Sequence, residues 1–193
     1  MSIVLNKIKD KNFLYNQAWF YNNELALRCV LDDASEKNYY KLAIRRCLEI
    51  YNILFENSKV SCLFYDKYVY KNYILDYPIL SKYIEESFDV DCESIKKENE
   101  YNDLLSVKRH IIFDIDSIDL EDILKKQILI SHIPTYHFVS EENEFIFSIY
   151  DYRMCDIVFF DEMKYKEFYS KLEEYFFDYD RAKMKKKYLS LKN

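Results

Sequence analysis

The sequence contains no glycine among its 193 residues, and it contains only two prolines. Glycine allows a backbone to adopt positive φ or to pass close to a phosphate. The P-loop, the dinucleotide-binding fingerprint, the kinase glycine-rich loop and the G-x-S-x-G elbow all depend on it. These nucleotide-handling and hydrolase designs are therefore excluded in their standard forms.

Long apolar runs and paired cysteines are lacking as well. No stretch approaches the roughly 20 consecutive apolar residues of a membrane span, and residues 1–17 lack the uninterrupted apolar core of a signal peptide. The five cysteines are scattered without a C-x-x-C pair, which favours reduced thiols. We expect a cytoplasmic protein that does not enter a membrane.

What the sequence does have is apolar and aromatic material for a large core. Half of the residues are hydrophobic, and they include 20 tyrosines and 14 phenylalanines. No linker rich in glycine, serine or proline divides the chain. We therefore expect residues 1–193 to form a single globular domain.

Charge is distributed unevenly along the chain. Residues 181–193 carry six basic and no acidic side chains and predict a basic C-terminal helix or tail. The whole chain has a net charge of −6, so the preceding 180 residues carry −12. Such a body repels nucleic acid; it could suit a basic protein partner, or it could simply form a well-solvated surface. Residues 84–103, with eight acidic and two basic side chains, predict an exposed loop or a loosely held helix.

Strand patterns and helix patterns are mixed along the chain. Apolar side chains recur at helical spacing within 36–56, where Asp33 or Ser35 is the predicted cap, and Ser117 is the predicted cap of a helix that ends near residue 129. Residues 68–88 suggest one or two short helices around Pro78. Strands are predicted at 24–31, 58–66, 108–116, 132–140, 144–150 and 155–160. This order predicts an α+β fold with a largely antiparallel sheet, flanking helices and a helical C-terminus.

Residues 145–160, FIFSIYDYRMCDIVFF, predict a hairpin whose tip lacks the usual glycine. An Asp at the tip can enter the left-handed region at modest cost, so the turn can close. Arg153 could form an ion pair within the tip or with Asp178 or Asp180, which would fasten the hairpin to the C-terminus. A binding role for Arg153 is the alternative.

Residues able to carry chemistry are few. Asp114 and Asp116 would share one face if 108–116 is a strand, and with His110 they could hold a divalent metal. Aspartates are equally typical of strand ends, and His110 of a surface or strand-end hydrogen bond. His132 and His137 differ in strand parity, so a zinc site on that pair is not expected. Cys155 adjoins Asp156, which opposes thiolate formation.

Two segments, SIYDYRMCDIVFFDE and YFFDYDRAKMKKKY, resemble a bacterial family known only as the domain of unknown function 3885. That family has Tyr-Asp-Asp-Arg-Gly-x-Asp followed by a terminal Asp-Tyr-Asp-Arg. The matching positions here are Tyr150, Asp151, Arg153, Asp156, Asp178, Tyr179, Asp180 and Arg181. The resemblance is clearest over 145–190. A weaker likeness covers 19–55, through WFYNNELALRCVL and AIRRCLEIYNILF.

Two positions depart from the family pattern. Tyr152 replaces an acidic residue, and Met154 stands where the family has glycine. The glycine position of the turn has therefore changed, and a Met154 side chain would obstruct any ligand that the glycine admits. The resemblance implies a shared motif and no particular reaction.

Three hypotheses of function remain open. The first is a non-enzymatic inhibitor that needs no cofactor and binds another protein, either as an immunity protein against a toxin or as a phage-encoded inhibitor of a defence system. Its contact surface would include Glu85, Glu86, Asp89 and Asp91, exposed tyrosines, and Arg153. The second is a metal-dependent phosphoesterase using Asp114 and Asp116. The third is RNA binding through the basic terminal helix.

Overall fold

The strands in the described part of the protein form one sheet, and every strand pairing described in it is antiparallel. A computed structural model describes residues 2–10, 19–32, 38–76, 78–91, 103–130, 135–150 and 152–191. The strands are β1 (Ala26–Val30), β2 (Cys62–Tyr70), β3 (Ile74–Leu75), β4 (Glu86–Val90), β5 (Leu104–Ile112), β6 (His137–Ser140), β7 (Phe145–Ile149) and β8 (Met154–Phe159).

Six α-helices accompany the sheet in the described residues. They are α1 (Ile3–Lys9), α2 (Trp19–Asn22), α3 (Tyr39–Phe55), α4 (Leu120–Leu129), α5 (Glu162–Leu172) and α6 (Asp178–Ser190). Short 3-10 helices cover Pro78–Tyr83 and Glu173–Tyr175. This arrangement confirms the predicted α+β fold, its largely antiparallel sheet and its helical C-terminus.

The strands lie in the order β1-β8-β7-β6-β2-β5-β4, and β3 pairs with β2 beside this path. The last three strands of the chain, β6, β7 and β8, are sequential neighbours because short turns join them. The first strand, β1, lies at one edge, against β8. The opposite edge is β4, paired with β5.

The main core lies between the sheet and helices α3, α4 and α5. Each helix buries one apolar stripe, such as Cys47, Ile50 and Leu54 on α3, and α3 contacts both α4 and α5. Strands β7 and β8 are buried along almost their whole length. That burial explains why their sequences read as continuous apolar runs rather than as alternation.

Side-chain caps fix the starts of two of these helices. Asp161 accepts a hydrogen bond from Lys164 N at 2.7 Å at the start of α5. Asp119 accepts one from Asp122 N at 3.0 Å at the start of α4. The prediction that Ser117 caps α4 is therefore wrong by two residues. The other predicted caps, Asp33 and Ser35, lie outside the described residues.

One turn without glycine places a residue at positive φ. Glu144, at the end of the β6–β7 turn, has φ of 49°, the one positive value among the residues the structure describes. Neighbouring side chains hold the turn, since Asn143 Nδ2 donates to Ser58 Oγ at 2.9 Å and Asn143 N to Ser140 Oγ at 3.1 Å. At the β7–β8 tip, Asp151 lies outside the described residues.

Three boundaries differ from the sequence-based prediction. Residues 86–90 of the acidic stretch form strand β4 rather than a loop or a loosely held helix. Residues 92–102 lie outside the described part. Much of 68–88 is extended, because β2 continues to Tyr70 and only 78–83 is helical. The strand predicted at 108–116 ends at Ile112.

Among the described helices, none has the length and apolarity needed to cross a membrane.

Candidate functional site

Arg28 of β1 is the point at which the motif residues of the last strands and helix meet. Its Nε donates to Asp156 Oδ1 at 2.7 Å, and its Nη2 donates to Oδ2 at 2.9 Å. The two residues are directly opposite on β1 and β8. Arg28 is 5% exposed and Asp156 is fully buried. Such a bidentate, charge-assisted pair fixes the relative position of the two strands.

Asp156 accepts two further hydrogen bonds. Tyr150 Oη donates to its Oδ2 at 2.8 Å, and the backbone N of Phe20 donates to the same oxygen at 3.1 Å. A carboxylate offers about four acceptor directions, and four donors approach this one. Asp156 therefore has little acceptor capacity left for a substrate or a metal ion.

Asp180 extends the cluster to helix α6. Its Oδ2 lies 3.6 Å from Arg28 Nη1, and Tyr21 Oη donates to the carboxylate at 3.2 and 3.3 Å. We call Arg28, Asp156, Asp180, Tyr21 and Tyr150 the Arg28 node. Burial lowers the pKa of Arg28, but the hydrogen bonds and charge of Asp156 outweigh it, so the pKa is raised overall. Arg28 therefore stays charged.

The C-terminal segment covers the outer edge of β1 beside the Arg28 node. Phe177 N donates to Arg28 O at 3.1 Å, and Cys29 forms a single β-bridge with Phe176. Arg28 N also contacts Met184 Sδ of α6 at 3.3 Å. These contacts satisfy backbone groups that an edge strand would otherwise expose.

The remaining motif residues of the C-terminus lie around this crossing. Arg181 donates to the carbonyls of Glu173 and Phe176 at 2.9 and 3.3 Å and to Asp178 at 3.0 Å. It thereby holds the turn between α5 and α6. Tyr179 is 81% exposed.

Arg153, the predicted partner of Asp178 or Asp180, lies on the exposed side of the β7–β8 tip. Its carbonyl accepts from Leu31 N at 2.7 Å, and its guanidinium lies 6.0 Å from the Tyr152 ring. In the described residues, Asp180 pairs with Arg28 and Asp178 pairs with Arg181.

A second buried ion pair, not predicted from the sequence, joins β5 to β2. Arg109 Nε and Nη2 donate to Asp66 Oδ1 and Oδ2, both at 2.7 Å, and Nη1 donates to the carbonyl of Ile8 in α1 at 3.1 Å. Arg109 is fully buried and Asp66 is 3% exposed. A charged residue within an apolar strand run needs a partner, and that signal was present in CLFYDKYVY.

Two histidines near this pair are buried. Burial lowers the pKa of His137 well below its ordinary value, and the charge of Arg109 lowers it further. His137 Nδ1 makes a short hydrogen bond with Ser148 Oγ. His110, expected at the surface or at a strand end, is buried beside Ser87 Oγ at 2.8 Å, and burial lowers its pKa too. His132 lies outside the described residues.

The predicted metal ligands do not share a strand face. Asp114 and Asp116 follow the end of β5 in a loop, where Asp114 Oδ2 accepts from Ser117 Oγ at 3.1 Å. Within the described ranges, no three His, Cys, Asp or Glu side chains are arranged to hold a metal ion. Burial also raises the pKa of the thiols Cys47, Cys62 and Cys155, which opposes nucleophilic use.

The acidic residues predicted to contact a partner lie along β4. Glu86 pairs with Lys9 of α1 at 2.7 Å, and Glu85 Oε1 accepts from Phe113 N and Asp114 N at 2.8 and 2.7 Å. Asp89 is exposed and lies opposite Lys108 of β5. Asp91 directly follows the strand and is half-buried. Glu85 and Glu86 thus have structural partners within the fold.

The fold and the Arg28 node define an α+β protein in which the first and last strands and the C-terminal helix are joined by buried ion pairs. The chain belongs to the family described as Domain of unknown function (DUF3885), whose model matches residues 5–180. The match includes every residue of the Arg28 node. Neither the curated proteins nor the solved structures provide a match to the chain.

Proposed function

We propose that this chain is a cytoplasmic, non-enzymatic inhibitor that binds a basic protein at the edge formed by β4. An immunity protein that neutralises a toxin and a phage-encoded inhibitor of a defence system both belong to this class. The observation that carries the proposal is the contrast between the two edges of the sheet. One edge, β1, is covered by the C-terminal segment, while β4 is paired in the described residues with β5 alone.

Strand β4 offers backbone groups to a partner. Apart from the β4–β5 ladder, no backbone hydrogen bond of residues 86–90 occurs within the part of the chain that the structure describes. An extended segment of another protein can add to such an edge, because main-chain hydrogen bonds supply affinity and alternate side chains supply specificity.

Charge gives the edge a preference for basic segments. Ser87 and Asp89 project from the exposed face of β4, and Glu86 projects from the other face. The body as a whole carries −12 over residues 1–180. Complementary charge accelerates association with a basic partner and disfavours an acidic one. Exposed apolar residues lie on strands of the same half of the sheet, with Ile74 at 59% and Leu105 at 58%.

Catalysis finds less support in the same geometry. The carboxylates of the Arg28 node and of the Arg109 pair are occupied by donors, and the described thiols are buried. A binding function uses the tyrosines and the edge strand without requiring an activated nucleophile.

The test is to purify the tagged protein from its host, identify a stoichiometric partner, and measure hydrogen exchange of both proteins free and bound. We expect the amides of residues 86–90 to become protected, with little change at 26–30.

We also expect Asp89→Lys to weaken binding about tenfold or more, as an edge charge placed against a basic partner would. Glu174→Lys, the same charge change at an exposed residue near the covered edge, is the matched control. Protection elsewhere with β4 unchanged would contradict the proposal.

A further inference from the structure

A groove lies between helix α6 and the elements beneath it. It is at the β1 edge of the sheet, opposite to the β4 edge. Its volume is about 340 Å³, within the range of small-molecule sites. Four nearly buried side chains form its floor, namely Phe20, Ala26, Tyr165 and Met184. They come from α2, β1, α5 and α6, so the groove depends on the packing that the Arg28 node fixes.

Three lysines of α6 form one side of the groove. Lys183, Lys186 and Lys187 all line it, since residues three and four apart lie on one face of a helix. Glu24 is the one acidic side chain among the lining residues. The described lining therefore carries a net charge of +2 on a protein whose body is acidic.

Local contacts hold two of these lysines at the groove. Lys183 Nζ donates to Phe20 O at 3.1 Å and lies 4.5 Å from the centre of the Phe20 ring. Lys187 Nζ pairs with Glu24 at 3.1 Å, where the Glu24 side chain is 88% exposed. The aliphatic stems of the lysines extend the apolar wall above the floor. Apolar surface is thus combined with ammonium groups in one concave site.

We propose that this groove binds an anionic amphiphile, with its apolar part along the aliphatic stems of the lysines and a carboxylate or phosphate on Lys186 and Lys187. An exposed carboxylate, Glu24, already takes the place of such an anion beside Lys187. A ligand anion would compete with Glu24 for that lysine, so Glu24 weakens binding of the ligand.

RNA fits the groove less well. Stacking of bases requires exposed aromatic faces, but Phe20 and Tyr165 of the floor are 1% and 0% exposed. The acidic body also repels a long phosphate backbone. A small anion with a narrow apolar body carries no long phosphate backbone, and it needs no aromatic face because it can lie along the lysine stems.

The test is a titration of ¹⁵N-labelled protein with octanoate, octyl phosphate and the uncharged octanamide, followed by NMR. We expect saturable shifts at the amides of residues 23–26 and 183–190, with octanamide at least about tenfold weaker than the better anion. The order of the two anions tells a carboxylate ligand from a phosphate ligand. Equal affinity for octanamide, or shifts located elsewhere, would overturn the proposal.

Surface variants test the charge assignment without disturbing the core. Replacing both lysines, Lys186→Ala with Lys187→Ala, should weaken anion binding about tenfold, while Lys185→Ala, on another face of α6, should leave it unchanged. Glu24→Gln should strengthen binding, since it removes the competing carboxylate. Weaker binding of the Glu24→Gln variant, or no effect of the lysine replacements, would refute the assignment. A purely structural role for Glu24 predicts lower stability and no gain in affinity.

Discussion

The Arg28–Asp156 pair near the β1 edge and the Arg109–Asp66 pair in the β2–β5 half of the sheet share one geometry. In both, a buried guanidinium makes two hydrogen bonds of 2.7 to 2.9 Å with a carboxylate on a neighbouring strand. Aromatic rings lie against both arginines, Phe20 at 5.0 Å from Arg28 and Phe64 at 5.4 Å from Arg109. The surroundings of the two pairs are different.

Asp156 accepts hydrogen bonds from several parts of the chain, whereas Arg109 is the only described hydrogen-bond donor to Asp66. A backbone N of α2 and the hydroxyl of Tyr150 both depend on Asp156, and Arg28 also reaches Asp180 of α6. An isolated buried pair is often replaceable by apolar residues, because its desolvation cost offsets its attraction. A pair that satisfies other buried groups is not, since each of those groups would lose its partner.

The largest effect is expected from removing the shared carboxylate. Asp156→Ala leaves the Arg28 charge buried with only the longer contact to Asp180, and it leaves Phe20 N without an acceptor. We expect the free energy of unfolding to fall by about 3–5 kcal/mol, measured by urea denaturation. Asp178→Ala, at a 91% exposed side chain of the same motif, is the control and should change it by less than about 0.5 kcal/mol. A loss below about 1 kcal/mol for Asp156→Ala would show that the node is not a stabilising unit.

Replacing each pair as a whole separates the two regions. The double variant Arg109→Met with Asp66→Leu loses the ion pair and, among the contacts described above, the bond to Ile8 O, and we expect a stability change within about 2 kcal/mol of zero. The equivalent variant Arg28→Met with Asp156→Leu also deprives Phe20 N, Tyr150 and Asp180 of partners. It should cost at least about 2 kcal/mol more than the first. Equal costs for both double variants in denaturant would remove the distinction between the regions.

The sequence predicted the region of the Arg28 node better than that of Arg109. The family motif directed attention to Asp156 and Asp180, and the hairpin was recognised from its two apolar runs. Arg28 was not singled out, because its partner lies 128 positions away and strand pairing between chain ends leaves no local signal. The fold class followed from the alternation of strand and helix patterns.

The β2–β5 half was predicted less well for a local reason. The acidic residues around β4 suggested an exposed loop or a loosely held helix, but cross-strand partners such as Lys108 opposite Asp89 allow them in an exposed edge strand. His110 was expected at the surface or at a strand end and Arg109 was given no role, although Asp66 lay in an apolar run that predicted a strand. A requirement that a buried charge be paired would have linked Asp66 to a basic residue of another strand, but not to Arg109 in particular.

Acid should act on the Arg109 region through His137. The pKa of His137 is lowered well below 6.5 in the folded protein, so below pH 6.5 the unfolded chain binds a proton that the folded one does not. Stability contributed by neutral His137 is therefore full above pH 6.5 and is lost as pH falls below it, by up to about 1.4 kcal/mol per pH unit. Unfolding midpoints in urea from pH 7.5 to 5 measure this slope.

Replacing His137 and its hydrogen-bond partner together, His137→Phe with Ser148→Ala, avoids an unpaired hydroxyl and should reduce the slope by one proton. His110, whose pKa is also lowered, remains in both proteins and provides the background. An unchanged slope would show that His137 becomes protonated in the folded protein, in contradiction to its buried site beside Arg109.

The smallest effect is expected where the Arg28 node reaches the surface. Tyr21 is 51% exposed, and its hydroxyl donates to Asp180 at 3.2 and 3.3 Å, so Tyr21→Phe should lower stability by only about 0.5 kcal/mol at neutral pH. Burial, followed by the charge of Asp180, raises the pKa of Tyr21 above 10. The stability that follows from the raised pKa is present below pH 10 and is lost as pH rises through the folded-state pKa. The Tyr21→Phe variant should therefore lose less stability than the parent between pH 9 and 11. Tyr179→Phe, at an 81% exposed side chain, is the control at neutral pH and should change stability there by less than about 0.5 kcal/mol. If Tyr21→Phe destabilises as much as Asp180→Ala does, the hydroxyl is an integral support of the node, and Arg28 depends on its surface partner as well as on the buried one.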